Sequence, residues 1–133
     1  MKLSLDSGSG IVVTGTGAGW IRVGSEEIRE NVVLTRERVL PGWAPAGFDA
    51  LVEADLAALL AHEPEVVILG SGPAQRFAHP RLLRPLLDAG IGVESMATPA
   101  ACRTFNILNG EGRRVVAALI VTGSDPARKS SGA

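Results

Sequence analysis

Between Ile91 and Val121 the hydrophobic spacing changes twice, and few architectures accommodate that order. Ile91 to Ser95 is short and has a β-branched residue on each side of Gly92, which suits a brief strand. Thr98-Pro99 then reads as a helix start. A threonine hydroxyl can cap free N–H groups, and proline in the first turn forfeits no hydrogen bond. Ala101, Phe105 and Leu108 follow at spacings of four and three, which puts them on one helical face. Asn109-Gly110 is the expected stop, with glycine free to adopt the left-handed conformation. Val115 to Val121 is an unbroken apolar run, the pattern of a strand covered on both faces. Strand, helix and buried strand in succession call for a parallel crossover unit.

The preceding segments extend that unit. Glu65 to Leu69 reads as a buried parallel strand, and Gly70-Ser71-Gly72-Pro73 as the loop that leaves it. His79-Pro80 opens a helix with Leu82, Leu83, Leu86 and Leu87 on its apolar face, ending at Gly90. Asp49 is the expected cap of an earlier helix to about Ala61, lined by Val52, Leu56, Leu59 and Leu60 and closed by Pro64. The first half is β-like: Ile11 to Thr16, Trp20 to Gly24, Val32 to Thr35, and a short segment from Val39 to Trp43 whose Pro41 marks an edge or an end. Gly15-Thr16-Gly17-Ala18-Gly19 superficially matches a nucleotide-binding glycine loop, but a β-like segment follows it where a helix is required, so it reads as a hairpin turn. The fold class expected is α/β: a single domain over residues 1–123 with a mixed sheet, an N-terminal antiparallel meander and a C-terminal βαβαβ unit. Residues 1–10 read as loose, and 124–133, rich in serine, glycine and lysine, as a disordered tail.

Several function classes are bounded by composition. With 133 residues and 46% apolar content, the chain can build one aliphatic core. A net charge of −1 argues against a general nucleic-acid binder. Residues 1–65 carry ten acids and five bases, whereas residues 66–133 carry four acids and eight bases. That asymmetry reads as solvated faces, or as a basic rim of Arg76, Arg81 and Arg84 beyond Gly70. One cysteine precludes an internal disulfide and fits a reducing compartment. No apolar run reaches the roughly 18 residues of a membrane span, and the N-terminus lacks the apolar region of a signal peptide. The expectation is a cytoplasmic protein without membrane insertion.

The candidate site lies at the carboxyl ends of the parallel strands, where open α/β sheets bind ligands. Gly70, Ser71, Gly72 and Thr98 come together there if the strands at 65–69 and 91–95 pair. Glycine permits close backbone approach, and the helix start at Thr98 supplies N–H donors for a small anion. The same residues also suit a plain turn and cap, and both readings stand. Glu94, late in its strand, is a further ligand-binding candidate; a salt bridge with Arg103 or Arg113 is the expected reading, and a general base is the alternative. Asn106, in mid-helix, could bond a neighbouring loop or line the pocket. Cys102 reads as a buried, unreactive core thiol, since His62 and His79 lie on other elements and complete no metal-ligand or nucleophile spacing. No catalytic constellation is recognised, and no cofactor or metal is expected.

The string Gly92-x-Glu94-x-Met96-x-Thr98-x-x-Ala101-x-x-Thr104-x-Asn106-x-Leu108, with Ile68-Leu69-Gly70-Ser71-Gly72 upstream, resembles the family of the complex I (NADH dehydrogenase) alpha-subcomplex assembly factor 3 and its bacterial and archaeal homologues, mostly small domains of unknown function. Ala97 stands where that family commonly has an acidic or polar residue, and Phe105 where it commonly has tyrosine. The resemblance implies an α/β domain. For the eukaryotic relatives it implies assistance in building respiratory complex I. The expected function is therefore a binding or assembly module with a protein partner. The alternative is an enzyme or carrier for a small anionic metabolite held at the Gly70–Gly72 and Thr98 loops. Oligomeric state is not legible.

Overall fold

The computed structural model describes residues 10–121 and places them in two sheets and three helices. β1 (Val13–Gly17), β2 (Trp20–Val23) and β3 (Glu26–Ile28) form a three-stranded antiparallel sheet. β4 (Val32–Leu34), β5 (Val39–Pro41), β6 (Val66–Gly70), β7 (Gly92–Met96) and β8 (Val115–Leu119) form a five-stranded sheet in the order β5-β4-β8-β6-β7. β6 pairs in parallel with β7 on one side and β8 on the other, as the crossover pattern requires. β4 runs antiparallel to both β5 and β8, so the sheet is mixed.

Period-two alternation in the central strands distributes two cores. Val67 and Leu69 of β6, with Val116 and Ala118 of β8, face a core closed by α1 (Glu53–Ala57) and α2 (Pro80–Asp88). Val66 and Ile68, with Val115, Ala117 and Leu119, face the opposite core, closed by α3 (Thr98–Gly110) and the small sheet. Every residue of β6 and β8 is buried, which explains their continuous apolar runs. Phe105 on α3 is fully buried, and a side chain of that size contributes about 2–3 kcal/mol by leaving water.

Four local expectations are corrected. The expected N-terminal antiparallel meander is β1-β2-β3, but the segments at Val32 and Val39 leave it for the large sheet, and Glu26–Ile28 is a strand that alternation did not disclose. Asp49 caps no long helix. It sits in a 3-10 turn (Phe48–Ala50), Leu51 is extended, and α1 begins at Glu53. There the Asp55 carboxylate accepts the Val52 N–H at 2.9 Å, satisfying one of the free donors of the helix start. α1 tightens into a 3-10 segment (Ala58–His62) and ends at Glu63, left-handed at φ 51°, directly before Pro64. Finally, α3 runs through Gly110, and the left-handed residue beyond it is Gly112, φ 83°.

The Gly15–Gly19 segment is a hairpin turn, with Gly17 opposite Trp20 and Ala18-Gly19 between. Residues 1–9 of the expected loose start, and the expected tail, 124–133, lie outside the described residues.

Candidate functional site

The carboxyl ends of β6, β7 and β8 converge on one hydrogen-bonded knot. The Gly72 N–H donates to Thr98 Oγ1 at 2.8 Å, and that hydroxyl donates onward to the Ile120 carbonyl at 2.7 Å. The Thr98 N–H returns to the Gly72 carbonyl at 2.8 Å. The Ile120 N–H donates to Gly70 O at 2.9 Å, and the Ser71 N–H to Met96 O at 2.9 Å. The Ser71 hydroxyl donates to Ala74 O at 2.8 Å and accepts the Arg76 N–H at 2.9 Å, which folds back the loop after Gly72. Thus Thr98 does not cap α3. The N-cap is Ala97, which has no capping side chain, and the Thr98 hydroxyl instead joins two strand ends.

The sequence brings Gly70, Ser71, Gly72 and Thr98 together as expected, but their polar groups serve the fold. Gly70 gives close approach to α3: a Cβ there would lie 2.8 Å from Leu119 Cδ2 and 2.9 Å from Thr98 Oγ1. Gly72 is left-handed at φ 102°, a conformation that favours glycine. The Gly72 N–H, the donor an anion at this turn would need, is bonded to Thr98.

Asn106 stands apart from the knot. Its carbonyl accepts the Val13 N–H at 2.9 Å and its amide donates to Val13 O at 2.9 Å, so the side chain pairs with β1 as an adjacent strand would. Glu94 makes no ion pair among the described residues and is exposed on β7, an edge strand, where a charge is ordinary. The expected salt bridge is corrected: Arg113 pairs with Glu65 at 3.5 Å. The Arg114 N–H donates to Glu65, and this bond is the main reason its carboxyl lies below the usual range.

Cys102 is 2% exposed, and burial pushes its thiol up to about 12. The His79 ring accepts the Arg81 N–H at 3.1 Å at the start of α2, while His62 lies in the 3-10 segment Ala58–His62 that follows α1. Among the described residues no group of histidine, cysteine, aspartate and glutamate is placed to hold a metal.

Two asparagines with comparable roles went unread. Asn31, 3% exposed, donates to Ala44 O at 2.9 Å and accepts the Val121 N–H at 2.7 Å. Asn109, 1% exposed, donates to Ile11 O and accepts from Arg36. The available signal was an amide abutting an apolar run, as Asn31 abuts Val32–Leu34.

Two surface features complete the site inventory. The Arg76 guanidinium lies 4.3 Å from the Phe48 ring centroid and pairs with Asp49, beside Phe77, which is 77% exposed. Beside β5, the edge strand of the large sheet, a cleft of about 180 Å³ opens, walled by Leu40, Trp43, Leu59 and His62. No helix among the described residues is long and apolar enough to cross a membrane.

Comparison with known proteins gives one consistent picture. An uncharacterized protein of Rhodobacter capsulatus is 38% identical over 110 residues, spanning 81% of this chain and 82% of the relative. The NADH dehydrogenase [ubiquinone] 1 alpha subcomplex assembly factor 3 of Mus musculus is 36% identical over 92 residues, 68% of this chain and 50% of the relative. The chain thus spans about half the length of that assembly factor. A crystal structure of a Bordetella parapertussis protein superposes with a TM-score of 0.76 at 38% identity, covering 84% of this chain and 96% of that one. The family described as a protein of unknown function (DUF498/DUF598) matches residues 13–120, and the chain belongs to that family.

Proposed function

We propose that this protein is a non-enzymatic binding or assembly module that acts on a respiratory NADH dehydrogenase. The observation that carries the reading is the 36% identity with an assembly factor of that name over 68% of this chain. The internal pairing of the strand-end donors supports it, because a surface that binds proteins needs a rigid frame rather than free donors for a metabolite. On this reading Gly70, Ser71, Gly72, Thr98 and Asn106 hold that frame. Glu94 is the exposed one of the six candidates, on the β7 edge opposite β5. The same reading puts the chain in the cytoplasm, where its single thiol stays reduced.

The test is deletion of the gene in the source organism, followed by native electrophoresis and NADH:quinone activity of its membranes. The expected result is less assembled enzyme, restored by a plasmid copy. Unchanged enzyme level and activity in the deletion strain would overturn the proposal.

A further inference from the structure

β5 ends the five-stranded sheet, and its inner bonds fix which of its groups face outward. Gly42 N–H donates to Asn31 O at 2.9 Å, and Thr35 N–H to Arg38 O at 3.0 Å. In the β4–β5 register of Val32 with Pro41, Val33 with Leu40 and Leu34 with Val39, these bonds mark alternate residues as inward. Leu40 therefore turns its backbone groups toward β4. Val39 N–H, Val39 C=O and Pro41 C=O point away from the sheet. Pro41 sits where the N–H it lacks would have faced outward, the usual place for proline in a sheet.

Side-chain direction links this edge to the cleft. Leu40 lies on the face of the α1–α2 core, and Val39 on the opposite face. The cleft of about 180 Å³ opens on the Leu40 side, between that strand and the 3-10 segment that carries Ala58, Leu59 and His62. A strand added to β5 would set its residue opposite Leu40 at the mouth of the cleft. Its volume takes one large apolar side chain.

We propose that the β5 edge and this cleft form a docking site for an extended segment of a protein partner, which adds a strand and inserts one aliphatic or aromatic side chain beside Leu40 and Trp43. The proposal rests on the assembly-module reading and names its surface. Main-chain bonds to Val39 and Pro41 supply generic affinity, and the cleft selects the residue opposite Leu40. A second copy of this chain fits less well in either symmetric register. Pairing centred on Leu40 needs the donor that Pro41 lacks, so two of its four bonds are missing. Pairing centred on Val39 sets Arg38 of one copy opposite Leu40 of the other, aiming a guanidinium at an apolar cleft.

The probe is an acetylated nine-residue peptide alternating threonine and leucine, with a lysine at each end, titrated into the full chain and followed by amide NMR and hydrogen exchange. The expected result is saturable shifts at Val39 and Leu40 and at least tenfold slower exchange of the Val39 amide. Methylating the peptide nitrogens that face β5 should weaken binding at least tenfold. Ala58→Trp, at an exposed position on the cleft wall, should do the same while leaving the remaining spectrum in place. No shift at Val39, or equal binding of the methylated peptide, overturns the proposal. So does a Val39 amide already protected in the peptide-free chain, whether deletion of residues 1–9 or dilution of a dimer releases it. In the deletion strain, failure of Ala58→Trp to restore the enzyme is expected. Full rescue by Ala58→Trp would overturn the docking site while leaving the assembly role intact, whereas a deletion without phenotype would overturn the assembly role itself.

Discussion

Thr98 shows how much a single hydroxyl can organise. It accepts from Gly72 and donates to Ile120, and it is 6% exposed. Thr98→Val preserves shape but leaves a buried N–H and a buried C=O without partners. The expected loss is about 2–6 kcal/mol, since each orphaned group costs about 1–3 kcal/mol. Thr98→Ser, which keeps the hydroxyl, should cost less than about 1 kcal/mol. Urea unfolding of both variants checks this, and a loss in Thr98→Val no larger than in Thr98→Ser would show that the hydroxyl bonds do not carry the knot. Cys102 makes a pH prediction of the same local kind. Its thiol is held up to about 12 in the folded chain, against an ordinary value of 9.0. Below 9 both states keep the proton and stability does not depend on it. Above 9 the unfolded chain releases the proton and the folded chain does not, so stability falls as pH rises from about 9 toward 12. Cys102→Ala should flatten that decline relative to the parent in denaturant melts at pH 8 and pH 10.5. Parallel declines in the two proteins would contradict it.

At the scale of elements, strands whose residues are all buried were legible and the short irregular ones were not. β6 and β8 announce themselves because both faces are covered, and α3 because Ala101, Phe105 and Leu108 repeat at helical spacing. β3 has three residues, two of them exposed glutamates, so burial leaves almost no trace in its sequence. The break at Asp49–Leu51 was hidden because Asp49 is a residue type that caps helices and Val52, Leu56, Leu59 and Leu60 keep a helical spacing just beyond it, although Val52 is 54% exposed. The two loop glycines look alike in sequence and differ in physics. Gly70 has no room for a Cβ, with Leu119 and Thr98 within 2.9 Å, whereas at Gly72 the nearest atom is 3.9 Å away and only the positive φ resists substitution. Gly70→Ala should therefore cost about 1–3 kcal/mol as overpacking between β6 and α3. Gly72→Ala should cost about 1 kcal/mol as backbone strain. Thermal melts of the two variants give the order, and a milder effect at Gly70 would mean that α3 yields where the packing says it cannot.

For the molecule as a whole, the parallel unit was readable from alternation and crossover rules, but the assignment of β4 to the large sheet was not. Nothing local in Val32–Leu34 says whether it pairs with β3 or with β8; its ladder to β8 is a long-range contact, reinforced by the bond from Val121, just past β8, to Asn31, 90 residues away. The candidate site was legible in its membership and not in its chemistry, because a sequence gives residue types while the destination of each N–H is a tertiary fact. The same long-range amides suggest how the two sheets are coupled. The small sheet packs on α3 through Val13, Ile21 and Ile28; Asn106 holds Val13 by a pair of hydrogen bonds, and Asn109 holds Ile11 just ahead of β1. The central strands β6 and β8 share that core on one face, but their other face packs on α1 and α2 and their pairing does not use the Asn106 bonds. Asn106→Ala should thus lower the opening free energy of β1–β3 amides by about 1–3 kcal/mol. Amides of β6 and β8 report global unfolding and should change only by as much as the global stability does. Native-state hydrogen exchange of the parent and the variant at one pH separates the cases. A selective loss of protection in β1–β3 makes the small sheet a unit that opens by itself while the five-stranded sheet stays folded. An equal loss in every strand would mean instead that the two sheets unfold only together, and that Asn106 is part of a single cooperative core.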